Sequence, residues 1–151
     1  MENMDRTYSL NELAMMTGFT TRTLRTYLDK GLLHGEKPSG VWQFTAEEVD
    51  RFFQEPFVQE GLRIKRNSAV FDHLAGRDLE QERSCVILDI PATAIRGAQI
   101  SAFFCQRMKE VSGLNFSYLW NRGLCRVILT GNAEPIAQIM RAYEEWKRDE
   151  E

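Results

Sequence analysis

Apolar and polar residues alternate along the first 55 positions with a clear helical period, interrupted at glycines. Leu10, Leu13 and Ala14 fall at helical spacing behind Ser9, and Glu12 completes the Ser-x-x-Glu pattern in which hydroxyl and carboxylate each bond the other's backbone N–H. This predicts a short helix from about Leu10 to Met16. Gly18 punctuates it, and Phe19 is placed to seal the turn. Thr20 is a good N-cap for a second helix, about Thr21 to Lys30, whose buried stripe is Leu24, Leu28 and Tyr27. Gly31 supplies its stop, and Leu32 and Leu33 return the chain to the core.

Further on, a turn at Pro38–Gly40 leads into Val41–Phe44, which reads as a strand in a small wing-like hairpin. Thr45 and Glu48 repeat the capping pattern and open a helix bearing Val49, Phe52 and Phe53, which Pro56 is expected to break. Leu62–Ala75 reads as a connecting helix, and RDLEQERS as a charged linker. The period then changes. CVILDIP is a β-rich apolar run; Ile100, Phe103, Phe104, Met108 and Val111 return to helical spacing, ended by Gly113. FSYLW and LCRVILT flank Asn121-Arg122-Gly123, a hairpin signal with glycine where φ must be positive. Ile136, Ile139, Met140, Tyr143 and Trp146 mark a last amphipathic helix.

The expected fold is therefore α+β. A winged helix-turn-helix occupies 1–55, a connecting helix and linker 56–83, and a β-α-β-β-α sandwich 84–151, similar to a ferredoxin-like domain that lacks its fourth strand. A missing strand leaves an open sheet edge, so dimerisation is expected there.

Composition changes this picture little. The chain has 151 residues, of which 43% are hydrophobic, enough for a packed core. No apolar run is long enough to span a bilayer and MENMDRTYSL has no signal-like apolar region, so the expectation is a cytoplasmic protein with no membrane partner. Cys85, Cys105 and Cys125 form no metal spacing and read as small buried apolar residues, and His34 and His73 are isolated. No metal or other cofactor is expected. The net charge of −3 argues against a polyanion partner, but residues 17–44 carry Arg22, Arg25, Lys30 and Lys37 against Asp29 and Glu36.

That local surplus coincides with the two short helices joined by a tight glycine turn, the second of them polar on its outer face: a helix-turn-helix. Such a helix fits the major groove of duplex DNA, where arginine can fork onto guanine or clamp a phosphate and hydroxyls can hold the backbone. SLNELAMMTGFTTRTLRTYLDKGLL, followed by GVWQFTAEEVDRF, resembles the DNA-binding domain of MerR-family transcriptional regulators over roughly residues 6–55. The matching features are the run Thr23-Leu24-Arg25-Thr26-Tyr27, the Gly31-Leu32-Leu33 after it, and the glycine/aromatic wing before a T-x-E-E helix start. The resemblance implies that Thr21, Arg22 and Arg25 make groove and phosphate contacts and that Tyr27 anchors a phosphate. Thr20, Lys37 and Trp42 complete the candidate DNA-binding set, with Trp42 either packed beneath the wing or touching the sugar-phosphate backbone. Arg63, Lys65 and Arg66 read equally as a solvated face or as secondary phosphate contacts.

Two departures stand out. Trp42 occupies a wing position where the family usually has arginine, and no long heptad follows for a coiled coil. The G-x-W-x-F wing also resembles excisionase-type winged helices. The function expected is a sequence-specific transcriptional regulator bound to double-stranded DNA, homodimeric, with a small-molecule effector as a further possibility for the C-terminal half. The alternative is a protein-interaction or architectural module on the same fold. An enzyme is not expected, because the C-terminal half pairs no nucleophile with a base and has no phosphate-cradling glycine loop or useful carboxylate pair.

Overall fold

Ser9 and Glu12 do form the reciprocal cap. The Ser9 hydroxyl accepts from the Glu12 N–H and the Glu12 carboxylate accepts from the Ser9 N–H, both at 3.0 Å. In this computed structural model, which describes residues 7–76 and 80–150, the cap opens α1 (Leu10–Thr17). Gly18 ends it in the left-handed region at φ +81°, a conformation that favours glycine. α2 (Thr21–Asp29) follows, capped by the Thr20 hydroxyl, which accepts from the Thr23 N–H at 3.1 Å.

The strands beside this pair differ from the sequence reading. A three-residue strand, β1 (Thr7–Ser9), precedes α1 and pairs antiparallel with β2 (Gln43–Thr45), Tyr8 opposite Phe44. The expected Val41–Phe44 strand thus starts two residues later. Of the expected hairpin, one bridge between Glu36 and Gln43 remains. The physical reason is burial: Phe44 is fully covered while Val41 is 60% exposed, so only the later residues have a core to face. β1 is too short to show a period.

Thr45 and Glu48 cap α3 (Ala46–Gln54) as expected. Pro56 does not merely break that helix; it is the first residue of α4 (Pro56–Ala75), which begins six residues before the expected Leu62. A proline at a helix start loses no hydrogen bond and already has helical φ. The expected charged linker falls partly on residues 77–79, outside the described residues.

The second half contains β3 (Arg83–Pro91), α5 (Ala94–Met108), β4 (Leu114–Asn121), β5 (Leu124–Asn132) and α6 (Ala133–Glu150). Val111 lies beyond α5, which ends at Met108. The strands form an antiparallel sheet in the order β3-β5-β4. The β4–β5 connection is a two-residue turn in which Arg122 and Gly123 have φ of +51° and +86°, the twist a tight hairpin requires.

One sheet face packs on α5 and α6. Phe116 lies against Phe104 with ring centroids 6.2 Å apart, and the Tyr118 hydroxyl donates to the Gly97 carbonyl at 2.8 Å. Gly97 permits this approach, since a Cβ there would meet Trp120 at 2.8 Å. The other face, with Ser117, Ile128 and Thr130, turns toward α1 and α4. The N-terminal helices therefore dock on the sheet half. Tyr8 bonds Ser101 at 2.6 Å, Lys109 pairs with the largely buried Glu12 at 3.0 Å, and the rings of Phe53 and Tyr118 approach to 6.5 Å. A continuous set of buried apolar residues runs from Tyr8 to Tyr143. No helix among the described residues is long and apolar enough to cross a membrane.

Candidate nucleic-acid interface

The turn between α1 and α2 is held from inside. The buried Thr17 hydroxyl donates to the Leu13 carbonyl at 2.7 Å and accepts from the Phe19 N–H at 3.1 Å, and the Phe19 ring is buried. This fixes the angle at which α2 leaves. Leu24 is fully covered, whereas Arg22, Arg25, Thr26 and Asp29 are exposed on one face at helical spacing.

Neither guanidinium on that face is tied down. Among the described residues, the side chains of Arg22 and Arg25 make no hydrogen bond or ion pair. They stand in the first turns of α2, where the helix dipole is positive and where Thr20 satisfies only the Thr23 N–H. Thr20 is exposed and Thr21 half-buried. Two cations, two hydroxyl groups and free helix N–H groups thus share one surface, an arrangement suited to phosphate oxygens and base edges.

Tyr27 has a different placement. It is 8% exposed, packed edge-on against Phe19 at 5.5 Å and near Phe52 and Phe57, and burial pushes its phenol up. The ring belongs to the core, as its place in the buried stripe implied, and any phosphate contact is limited to its hydroxyl.

The loop before β2 carries the other two candidates. Lys37 is exposed, with Nζ 5.0 Å from the Trp42 ring centroid, and Trp42 is half-buried and stacked on Phe44 at 6.0 Å with an interplanar angle of 12°. Trp42 therefore packs on the core aromatic with one part outward, beside a lysine ammonium.

On α4, three basic residues separate into different environments. Arg63 pairs with Glu60 on the surface, Lys65 lies beside Gly18 at the helix-turn-helix turn, and Arg66 is half-buried against the sheet. Burial and the nearby Arg126 charge hold the Arg66 guanidinium below its usual range.

Sequence reasoning missed Asp50 entirely. It sits on α3, its Oδ1 is closed off from solvent with no hydrogen-bond partner among the described residues, and burial raises its carboxyl above the usual range. Its only sequence signal was an acidic residue next to the apolar Val49, on the edge of the α3 stripe.

Residues 8–54 match the family described as MerR HTH family regulatory protein. The N-terminal third is a MerR-like helix-turn-helix. The MerR-like segment starts in β1 and stops at Gln54, the last residue of α3, so α4, the sheet and the two helices on it lie outside the match. This family is one of DNA-binding regulators rather than enzymes, and DNA-binding transcription regulation is the general role such a segment carries. No curated protein and no solved structure matches the chain.

Proposed function

We propose that the protein is a sequence-specific transcriptional regulator that inserts α2 into the major groove of double-stranded DNA. The observation that carries this is the pair Arg22 and Arg25, exposed and unpartnered on the first turns of a rigidly docked helix. Thr20 and Thr21 hold phosphates at the helix N-terminus. The loop carrying Lys37 and Trp42 acts as the wing and follows the sugar-phosphate backbone, with Lys65 as a further phosphate contact beside the turn. Such a surface works despite the overall charge of −3 because the positive groups are concentrated on one side.

In this reading residues 84–151 form a ferredoxin-like sandwich without its fourth strand. The strand order β3-β5-β4 supports it, and β3 has no strand partner on its outer edge among the described residues. A second copy of the chain covers that edge. Phe71 and Leu74 on α4 stand 68% and 76% exposed next to Ile87 of β3, continuing an apolar surface from the open edge. Dimerisation would place two α2 helices on one duplex in the cytoplasm, where such a regulator works.

Selection of random duplex oligonucleotides on the purified chain tests the proposal. A recovered consensus, bound in a mobility shift that Arg22→Ala plus Arg25→Ala abolishes, supports it. Binding unaffected by the double substitution, or no binding to any duplex, would instead favour a protein-interaction module.

A further inference from the structure

On the sheet face beside α4, a groove of about 390 Å³ opens to solvent between α4, β5 and β3. Its apolar rim is accessible: Phe71, Leu74 and Ile87 are 68%, 76% and 50% exposed, and Ile128 lines the groove from β5. Its charged side chains are two arginines, Arg66 from α4 and Arg126 from β5.

The two guanidinium groups differ in what they already hold. Arg126 forks onto Asp89, with Nε donating to Oδ1 at 2.6 Å and Nη2 to Oδ2 at 3.0 Å. Arg66 makes no hydrogen bond or ion pair among the described residues. Its Nη1 is closed off from solvent, but Nε and Nη2 are not, so the side edge of this guanidinium stays open. Arg126 is near enough for its charge to weigh on Arg66. A half-buried cation beside a like charge, with no anion of its own, is costly, and a carboxylate on the open edge removes that cost. Nε and Nη2 of one arginine match the two oxygens of a carboxylate as a fork. Arg66 and Arg126 against Asp89 leave a single positive charge to balance, which suits a monoanion better than a doubly charged phosphate. The exposed rim adds a second requirement, an apolar body attached to the anionic head. From Arg66 to Leu74 the helix rises roughly 12 Å at about 1.5 Å per residue, the reach of a medium-length hydrocarbon chain.

We propose that this groove binds an amphipathic carboxylate, its head forked by Arg66 with Arg126 alongside and its hydrocarbon chain laid over Phe71, Leu74 and Ile87. The same surface is assigned above to a second copy of the chain, so an occupied groove excludes that copy. Control of self-association by the ligand rests on that reading; binding itself does not.

Calorimetric titration of the full chain with octanoate, in the absence of DNA, tests the site. The controls are 1-octanol, which lacks the charge, and acetate, which lacks the chain. Octanoate should bind at millimolar concentration or below, and each control about tenfold or more weakly. Arg66→Gln should bring octanoate down to the level of 1-octanol and leave 1-octanol itself unchanged. Octanoate binding no tighter than either control would overturn the proposal, as would octanoate binding unchanged in Arg66→Gln or a loss shared equally by 1-octanol. Should Arg66→Gln fail to fold, the ranking of the three compounds on the unaltered chain still decides. Sedimentation with and without octanoate separates this proposal from the dimer. A chain that binds octanoate but never self-associates overturns the dimer alone; one that self-associates yet binds no octanoate, even when diluted to monomer, overturns the groove alone.

Discussion

Arg22 and Arg25 on α2 and Asp50 on α3 are charged groups of the same MerR-like third, yet they have opposite surroundings. The arginines stand in water with no partner and lose little by waiting there. Asp50 is half-buried, and its Oδ1 is closed off from solvent with no hydrogen-bond partner among the described residues, so its charge is held at a cost in the folded chain. The two cases teach different things. An exposed unpartnered cation is compatible with many roles and gains meaning from its neighbours, here a helix N-terminus and hydroxyls. A half-buried carboxylate with an unpaired oxygen is uncommon and lowers stability wherever it stays ionised.

The largest effect should come from breaking the first half of this comparison. Arg22→Ala plus Arg25→Ala should cost about 1–3 kcal/mol of DNA affinity for each arginine that forks onto a base, and leave the melting temperature unchanged. If the arginines touch only phosphate, a mobility shift will show the same loss on every sequence and a shallower salt dependence.

Next comes the packing of α5 on β4. Gly97→Ala would place a Cβ 2.8 Å from Trp120 and 3.0 Å from the Tyr118 hydroxyl, pushing α5 off the sheet. Overpacking of this kind costs about 1–3 kcal/mol, readable by urea denaturation. Removing the α1 cap with Ser9→Ala should cost about 1 kcal/mol by the same measurement, since the Glu12 N–H loses its acceptor.

A smaller effect sharpens the second half. Burial holds the Asp50 carboxyl above its ordinary range, so the folded chain binds that proton more tightly than the unfolded chain does. The stability linked to this group is therefore present in acid and lost as pH rises from the ordinary aspartate range through the raised folded value. Asp50→Asn should melt higher than the parent at neutral pH, and the gain should shrink in acid. Thermal melts at several pH values check both the sign and the trend.

The smallest change in fold stability is expected from Phe71→Glu. Its ring is mostly exposed, so the monomer should be nearly unaffected while self-association, followed by sedimentation, weakens.

What could be read along the chain was whatever rests on near neighbours. The capping boxes at Ser9 and Thr45, the glycine turn at Gly18 and the Arg122–Gly123 hairpin all involve residues within a few positions of one another, so their chemistry is visible as spacing. The periodic stripes of α1, α2, α3, α5 and α6 are equally local. Pro56 does follow the end of α3, but its second role as the start of α4 was missed because proline at a helix start and proline after a helix end share one sequence signal.

The tertiary structure decided what depends on distant partners. β1 exists because Tyr8 finds Phe44, 36 positions further along the chain. Spacing put Tyr27 on the buried stripe, but which rings it meets there, Phe19, Phe52 and Phe57, was set by the packing of α3 and α4. The half-buried setting of Asp50 required β1, α3, α5 and β4 to converge. Burial is set by which surfaces meet, and no local spacing encodes that, so the exposed basic helix was legible in the sequence and the partial burial of Asp50 was not.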